Sequence, residues 1–262
     1  MNPAKTHGAV SWSELMTPDP KAGAAFYSKL FGWSTEEMDM GTPYILARIN
    51  GQPVAGIMGM MGLDVPPNWS FYVTVDDVDA CATKASQLGA AIQVTPTDIP
   101  TVGRFTGFFD PQGAYIAAIT YSYPDMPDGE GPDFAKSFVT HGAFSWFELR
   151  VPDIEAAKPF YKELFGWNFE VMDMPTGAYT VVKVGDVGIG GLMSPPAEHG
   201  IPPHWGGYVT VDDADAIAEA VGSGGGTVTV PPMDIPQVGR FAMFADAQGA
   251  QLAVIKYRPM EG

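Results

Sequence analysis

The chain has 262 residues, of which 46% are hydrophobic and 17% charged, a composition typical of a folded globular protein. The 30 acidic side chains outnumber the 14 basic ones and give a formal net charge of −16. Nucleic acids and anionic membranes are bound by clusters of Lys and Arg, so we expect neither as a partner. Cys81 is the one cysteine and excludes an internal disulfide. Because no signal-peptide pattern or long apolar run is found, the sequence predicts a cytoplasmic protein.

Taken in chain order, the periodicity alternates between strand and helix. AVSWSELM predicts a strand, and DPKAGAAFYSKLFG predicts a helix closed by Gly32. WSTEEMDM, PYILARIN and QPVAGIMGM follow as three short strands. The same order then recurs in WSFYVTV, DDVDACATKASQLG, AIQVTPTD, GRFTGFFD and AYIAAITY. Each βαβββ module is a half-covered sheet that needs a partner, so the sequence predicts an α+β fold built from paired modules.

The whole pattern is then written a second time. FYSKLFGW (26–33) recurs as FYKELFGW (160–167), YVTVDD (72–77) recurs unchanged at 208–213, and PTDIPTVGRF (96–105) recurs as PMDIPQVGRF (232–241). The chain is therefore a tandem duplication with four βαβββ modules. A segment rich in Pro, Gly and Asp joins the copies. We predict a first domain at 1–122, a linker at 123–138 and a second domain at 139–262.

These motifs resemble one superfamily. The duplicated βαβββ pattern, FYxxLFGW, VDDVD and DPQG followed by an apolar strand are similar to the glyoxalase/bleomycin-resistance/extradiol-dioxygenase (vicinal oxygen chelate) superfamily, in particular to tandem-domain glyoxalase-like proteins of actinobacteria. The resemblance covers nearly the whole chain apart from the linker. It implies two tandem glyoxalase-like open barrels, each with a ligand-binding lumen. It is weaker for function, because the superfamily includes lyases, isomerases, dioxygenases and drug-binding proteins.

The resemblance also implies where a divalent metal would be held. In the superfamily a His or Gln on the first strand, a His near the start of the fifth strand and a Glu on the last strand point into the lumen. The matching positions here hold Trp12, Ser70 and Ala117 in the first copy and Trp146, Gly206 and Ala253 in the second. A transition metal needs three or more N, O or S donors, so we predict no metal and no other cofactor. A relocated site that uses His7, His141, His199 or His204 is the alternative.

Each copy carries an acidic residue two positions after this tryptophan. Residues two apart on a strand share a face, so Glu14 follows Trp12, and Glu148 follows Trp146, into the lumen that the resemblance implies. Burial beside an indole disfavours a charged carboxylate, and we expect the pKa of Glu14 to lie above its ordinary value. Such an acid suits proton transfer or the recognition of a cationic or hydroxyl-bearing ligand, which makes Glu14 and Glu148 the candidate catalytic residues. A structural ion pair with Arg48, Arg104, Arg150 or Arg240 is the alternative.

Aromatic residues supply the rest of the predicted site. Strand parity directs tyrosines of the fifth and last strands into the lumen, and Trp69 and Trp205 are expected at its rim. The arginine of each DIPxVGRF loop suits an anion, although a fork to Asp98 or Asp110 is equally compatible. The predicted ligand-binding residues are Trp12, Trp146, Trp69, Trp205, Tyr72, Tyr208, Arg104, Arg240, Tyr115, Tyr121 and Tyr257. They suit a flat or carbonyl-bearing organic molecule, whereas simple filling of a small barrel is the alternative.

Three functions are compatible with these residues. The first is a protein that binds a small organic molecule, which the missing metal ligands favour. The second is a metal-independent lyase or isomerase, similar to lactoylglutathione lyases, in which Glu14 or Glu148 moves a proton next to a carbonyl. The third is a metal-dependent glyoxalase or dioxygenase, which the residues at the ligand positions oppose. Because the duplication supplies module pairing within one chain, a monomer is preferred.

Overall fold

The computed structural model of the chain describes residues 1–39, 42–60, 62, 65–122, 133–174, 177–196 and 200–259. The first copy forms β1 (Val10–Met16), α1 (Pro20–Phe31), β2 (Ser34–Asp39), β3 (Pro43–Ile49), β4 (Gln52–Met58), β5 (Asn68–Thr74), α2 (Val78–Gln87), β6 (Ala91–Ile99), β7 (Gly103–Phe109) and β8 (Tyr115–Tyr121). The predicted α+β class and its βαβββ modules are therefore confirmed in this copy.

The second copy repeats this order after a short helix, α3 (Phe134–Ser137). It forms β9 (Phe144–Arg150), α4 (Ile154–Phe165), β10 (Asn168–Met174), β11 (Gly177–Val184), β12 (Val187–Met193), β13 (His204–Thr210), α5 (Ala214–Ser223), β14 (Thr227–Ile235), β15 (Gly239–Ala245) and β16 (Gln251–Tyr257). Of the predicted linker, residues 123–132 lie outside the described residues. Its remainder contains α3, which buries Phe134.

Local sequence signals fix where the helices begin and end. The Asp19 carboxylate caps α1 by accepting from the Ala22 amide at 3.0 Å, and Asp153 caps α4 through Ala156 at 2.9 Å. Both helices end at a left-handed residue, Gly32 with φ 67° and its repeat Gly166 with φ 69°. None of the helices in the described ranges has both the length and the apolar character needed to cross a membrane.

The sheets have the same topology in both copies. The strand order is β2-β3-β4-β1-β5-β8-β7-β6 in the first copy and β10-β11-β12-β9-β13-β16-β15-β14 in the second. Within each module the first strand pairs in parallel with the fourth, and the other neighbours are antiparallel. This register puts Glu14 opposite Gly56 and Glu148 opposite Gly191.

The chain divides into two compact units, and each takes residues from both copies. The first unit comprises residues 1–12, 70–132 and 146–206, and the second comprises 13–69, 133–145 and 207–262. The limits fall inside β1, β5, β9 and β13. The first unit therefore holds the second and third modules, and the second unit holds the first and fourth. The predicted boundaries at 1–122 and 139–262 follow the duplication, which is a different division of the chain.

A buried tyrosine between a tryptophan and an aspartate lies in the core of each unit. In the second unit, the Tyr27 hydroxyl donates to Asp246 Oδ2 at 2.9 Å and accepts from Trp69 Nε1 at 3.0 Å. Tyr27 also stacks on Trp33, with ring centroids 5.8 Å apart. The other Asp246 oxygen accepts from two backbone amides of its own turn. Helix α1 of one copy is thereby joined to the DAQG turn of the other.

The first unit contains the matching arrangement. The Tyr161 hydroxyl of α4 donates to Asp110 Oδ2 at 2.8 Å and accepts from Trp205 Nε1 at 3.0 Å. Burial, reinforced by the aspartate, raises the pKa of Tyr161 and of Tyr27 well above the ordinary value for a phenol. Both hydroxyls therefore keep their protons, and each provides a stable donor to its aspartate.

Candidate functional site

The tryptophan and the glutamate of each copy lie on the same side of their strand. On β1, Trp12, Glu14 and Met16 are partly exposed, whereas the intervening Ser13 and Leu15 are buried. Strand β9 shows the same alternation at Trp146 and Arg150, except that Glu148 is buried. The shared face expected from the sequence is present, and in the second copy its acid is the less accessible of the two.

Four side chains of the first unit form what we call the Glu148 cluster: Trp146, Glu148, Arg150 and Tyr179. Trp146 Nε1 donates to the Tyr179 hydroxyl at 2.9 Å, and that hydroxyl donates to Glu148 Oε2 at 2.9 Å. Arg150 donates to Glu148 Oε1 from Nε at 3.1 Å and from Nη2 at 2.9 Å. The Glu148 side chain is 6% exposed and that of Arg150 11%. Of the arginines considered from the sequence as ion-pair partners, Arg150 is the one that binds Glu148.

A glycine allows Tyr179 to reach this glutamate. Tyr179 lies on β11, and Gly191 on β12 stands between it and β9, opposite Glu148. A Cβ atom on Gly191 would overlap the Tyr179 hydroxyl. In the second unit, Tyr44 has the same relation to Gly56. Sequence reasoning missed both tyrosines, although each follows β1 or β9 at a repeat-matched distance and faces a glycine-containing strand.

The first copy has the same tyrosine–glutamate contact in different surroundings. The Tyr44 hydroxyl donates to Glu14 Oε2 at 3.0 Å. The position matched to Arg150 holds Met16, and the position matched to His204 holds Asn68. The two faces therefore share an acid and a phenol but differ in charge and in titratable groups.

His204 lies at the start of β13, in the first unit with the Glu148 cluster. Its Nδ1 is 2.8 Å from the Pro202 carbonyl oxygen, and a carbonyl only accepts, so Nδ1 carries the proton. Burial is the largest influence and lowers the pKa of His204, and the nearby Arg150 acts in the same direction. At neutral pH the ring is therefore uncharged, with a lone pair on Nε2. Among the other histidines of the alternative metal site, His199 lies outside the described residues.

Trp12 belongs to an apolar cluster of the first unit. It packs against buried Tyr72, Ala117 and Ile119, next to the partly buried Tyr121. The Tyr121 hydroxyl is 3.0 Å from Ser11 Oγ. Of the predicted ligand-binding residues, Trp12, Tyr72 and Tyr121 are thus brought together.

The other predicted tyrosines lie outside this cluster, and two of them, Tyr208 and Tyr257, meet at the Ser145 hydroxyl. Tyr208 is buried near Phe241, with ring centroids 6.4 Å apart. The Tyr257 hydroxyl is 3.0 Å from Ser145 Oγ, and burial raises the pKa of Tyr257 to about 12. Tyr115 packs edge-on against Phe109 at 5.4 Å and crosses Gly107. None of these contacts identifies a ligand position, so their predicted binding role stays a prediction.

The rim position expected for Trp69 and Trp205 is wrong. Both are only 6% exposed, and each donates from Nε1 to the core tyrosine of its unit. The reason is strand parity. Trp69 alternates with Ser70 and Tyr72 on β5, so its indole is directed to the opposite side of the strand, where α1 packs.

Arg104 and Arg240 form carboxylate pairs in both copies. Arg104 binds both oxygens of Asp79, at 2.8 and 3.0 Å, and binds Asp98 at 2.8 Å. Arg240 makes the repeat-matched contacts with Asp215 and Asp234. Of the two forks considered from the sequence, Asp98 is correct. Asp110 is not, because its side chain accepts from Tyr161 in the core.

This pairing predicts a pH-dependent contribution to stability. The guanidinium of Arg104 lowers the pKa of Asp79 below its ordinary value of 3.8. A carboxyl whose pKa is lower in the folded chain stabilises the fold above the unfolded pKa and loses that effect as the pH falls through the folded pKa. We therefore expect Arg104→Gln to lower the thermal unfolding midpoint at pH ~6, and this difference to shrink below pH ~4. The exposed Arg258→Gln is the control, and a pH-independent difference for Arg104→Gln would contradict the assignment.

The residues present do not fit the metal that this fold implies. Ala117 ends in a methyl group inside the Tyr72 cluster, and Trp146 uses its indole N–H as a donor to Tyr179. Gly206 and Ala253 have no donor atom at all, and Ser70 offers a single hydroxyl. Within the described ranges, no group of three or more His, Cys, Asp or Glu side chains is arranged to hold a metal ion. Metal-free function nevertheless stays a prediction.

The matching family model and the similar proteins point to the same family. The family model described as Glyoxalase/Bleomycin resistance protein/Dioxygenase superfamily matches residues 9–117 and 143–254. The chain is 36% identical over 261 residues to "Putative glyoxylase CFP32" of Mycobacterium tuberculosis, with 97% of each chain covered. It is 29% identical over 267 residues to "Anthracycline biosynthesis protein DnrV" of Streptomyces peucetius, which covers 96% of this chain and 94% of the relative.

Two solved structures share the fold at low sequence identity. The Mn(II)-bound glyoxalase from Novosphingobium aromaticivorans superposes with a TM-score of 0.65 at 16% identity, covering 96% of this chain and 82% of that one. The 2,3-dioxygenase LapB from Pseudomonas sp. KL28 gives a TM-score of 0.62 at 12% identity, covering 98% and 95%. At these identities the likeness concerns the fold alone.

Proposed function

Because this chain belongs to the glyoxalase/bleomycin resistance protein/dioxygenase superfamily, we propose that it binds a small aromatic or carbonyl-bearing organic molecule at the Glu148 cluster on β9 and beside the Tyr44–Glu14 pair on β1, without the usual metal. The main support is the Glu148 cluster, a buried carboxylate held by a phenol and a guanidinium beside the partly exposed indole of Trp146. Few, fixed polar groups in apolar surroundings are typical of small-molecule sites.

The names of the relatives support this ligand class. One relative is named as an anthracycline biosynthesis protein, and anthracyclines are flat, aromatic, carbonyl-bearing and hydroxylated. A flat ring system can stack on the partly exposed indoles of Trp12 and Trp146. The carbonyl and hydroxyl groups of such a molecule match the donors and acceptors of the tyrosine–glutamate pairs.

An anthracycline titration tests the proposal. Tryptophan emission is expected to fall as the ligand binds, and Trp12→Phe and Trp146→Phe are expected to reduce the amplitude. Trp33→Phe serves as the matched control, because that indole lies in the core stack. Metal analysis after dialysis is expected to show less than one equivalent. A stoichiometric content of Ni, Zn, Mn or Fe would count against the metal-free part.

A lyase or isomerase of the glyoxalase type is the second candidate. The repeated tyrosine–glutamate pair favours it. The Tyr44 hydroxyl donates to the Glu14 carboxylate at 3.0 Å and holds it in one orientation, which is what a general base requires. A fixed, partly exposed carboxylate could move a proton next to the carbonyl of a bound substrate.

The substitution Glu14→Gln separates binding from catalysis. Glutamine keeps the volume and an acceptor for Tyr44, so the fold is expected to persist. A binding protein shows no turnover of the hemithioacetal of methylglyoxal and glutathione, before or after the substitution, and its ligand affinity changes by less than about tenfold. A catalyst loses about a hundredfold or more in kcat once Glu14→Gln is combined with Glu148→Gln, because the pair is repeated in both copies. The surface change Glu163→Gln is the control, and a loss of kcat at the two glutamates without a loss at Glu163 would replace the binding proposal with the second candidate.

A further inference from the structure

The second copy presents a neutral histidine where the first copy has an amide. His204 and Asn68 occupy matched positions at the start of β13 and β5. Arg150 on β9 and Met16 on β1 are also matched positions that hold different side chains. In the second copy the differing side chains lie on β9 and on the neighbouring strand β13, where they add one cation and one uncharged ring nitrogen.

The hydrogen bond to Pro202 fixes what His204 can offer. Because the 2.8 Å contact with the Pro202 carbonyl takes the Nδ1 proton, Nε2 carries the lone pair and can only accept. The ring is close enough to Arg150 and Glu148 to interact with both charges. The ion pair of Arg150 and Glu148 has no net charge, so the His204 ring adds an uncharged hydrogen-bond acceptor beside it.

Gly206 leaves room for added atoms on the same side of this strand. Gly206 follows His204 by two residues, and residues two apart share a face. A Cβ atom built on Gly206 would have only one atom within 4 Å, the Glu148 carbonyl oxygen at 3.9 Å. The absence of a side chain at this position therefore leaves an opening next to His204 and the Glu148 cluster.

We propose that Nε2 of His204 accepts a hydrogen bond from a ligand hydroxyl group, so that the second copy selects hydroxylated aromatic compounds over their ethers. This inference rests on the proposed binding function and names the ligand group that the second copy reads. His204 is the specificity-determining residue, and Gly206 provides the room. The first copy, with Asn68 and Met16, lacks this basic acceptor and is not expected to make the same distinction.

Alizarin, a hydroxylated anthraquinone, and its dimethyl ether are suitable probes. The wild-type protein is expected to bind alizarin about tenfold more tightly than the ether, as the loss of one hydrogen bond to a partly buried acceptor predicts. His204→Asn, which introduces the residue of the first copy, is expected to bind both compounds equally. His204→Leu is a second variant without an acceptor, should the first fail to fold. Glu163→Gln, on the exposed side of α4, is the control and is expected to keep the wild-type preference.

The outcomes are distinguishable. If a folded His204 variant keeps the preference for alizarin, or if Glu163→Gln removes it, the role of His204 is overturned while the binding function stands. If the wild-type protein binds neither compound, the proposed function itself is overturned. If it binds both without preference, binding is supported and the hydroxyl-reading role is rejected.

Discussion

The substitution Asp110→Ala is expected to lower the free energy of unfolding by about 3 to 5 kcal/mol. Asp110 is buried and accepts from the Tyr161 hydroxyl at 2.8 Å and from the Gln112 and Ala114 amides at 2.9 Å. Alanine leaves a buried hydroxyl and two amides without their acceptor, and each such loss costs about 1 to 3 kcal/mol. Equilibrium unfolding in urea measures the change.

The second unit offers an internal repeat of this experiment. Asp246→Ala removes the same acceptor from Tyr27 and is expected to destabilise the chain to a similar extent. Asp77→Ala is the matched control, because this exposed aspartate caps helix α2 through Ala80 at 3.0 Å, and a loss of about 1 kcal/mol is expected. Losses below about 1 kcal/mol at both core aspartates would show that these hydrogen bonds do not hold the modules together.

The substitution Gly191→Ala is expected to weaken ligand binding at β9 by about tenfold or more and to destabilise the fold by about 1 to 3 kcal/mol. The added methyl group would overlap the Tyr179 hydroxyl, which must then move away from Glu148 and Trp146. Gly56→Ala is expected to act in the same way on Tyr44 and Glu14. The anthracycline titration and urea unfolding report the two effects.

A double-mutant cycle identifies the cause. If the methyl group acts by displacing Tyr179, then Tyr179→Phe adds little to Gly191→Ala, and the two changes are strongly non-additive. Gly222→Ala is the control substitution. This glycine lies in helix α5 with nothing within 4 Å of its added Cβ, so a gain of about 0.5 to 1 kcal/mol is expected. Additive effects of Gly191→Ala and Tyr179→Phe would refute the displacement.

The order of elements could be predicted because local signals determine it. Aspartate caps, helix-ending glycines such as Gly32 and alternating apolar residues act over a few positions, and the predicted strands and helices agree with those observed. The composition of the two units could not be predicted. Both copies carry the same tyrosine helix and the same aspartate turn, so the sequence does not say whether Tyr27 meets Asp110 or Asp246.

The candidate site was predictable only along single strands. Trp12 with Glu14, and Trp146 with Glu148 and Arg150, share faces because they are two residues apart. Contacts between strands depend on register, which the sequence leaves undetermined. The tyrosine of the third strand and the glycine of the fourth were therefore missed. Asp79 was missed as the partner of Arg104 because it comes from the preceding helix, 25 residues away.

The interlocking of the two copies bears on how the chain could diverge after its duplication. FYxxLFGW in one copy must fit the DxQG turn of the other, so a change in either motif disturbs a partner that is 219 residues away in the second unit and 51 residues away in the first. Met16 and Arg150, and likewise Asn68 and His204, occupy matched positions and have already diverged between the copies. Two halves that keep their docking residues can therefore come to recognise different molecules.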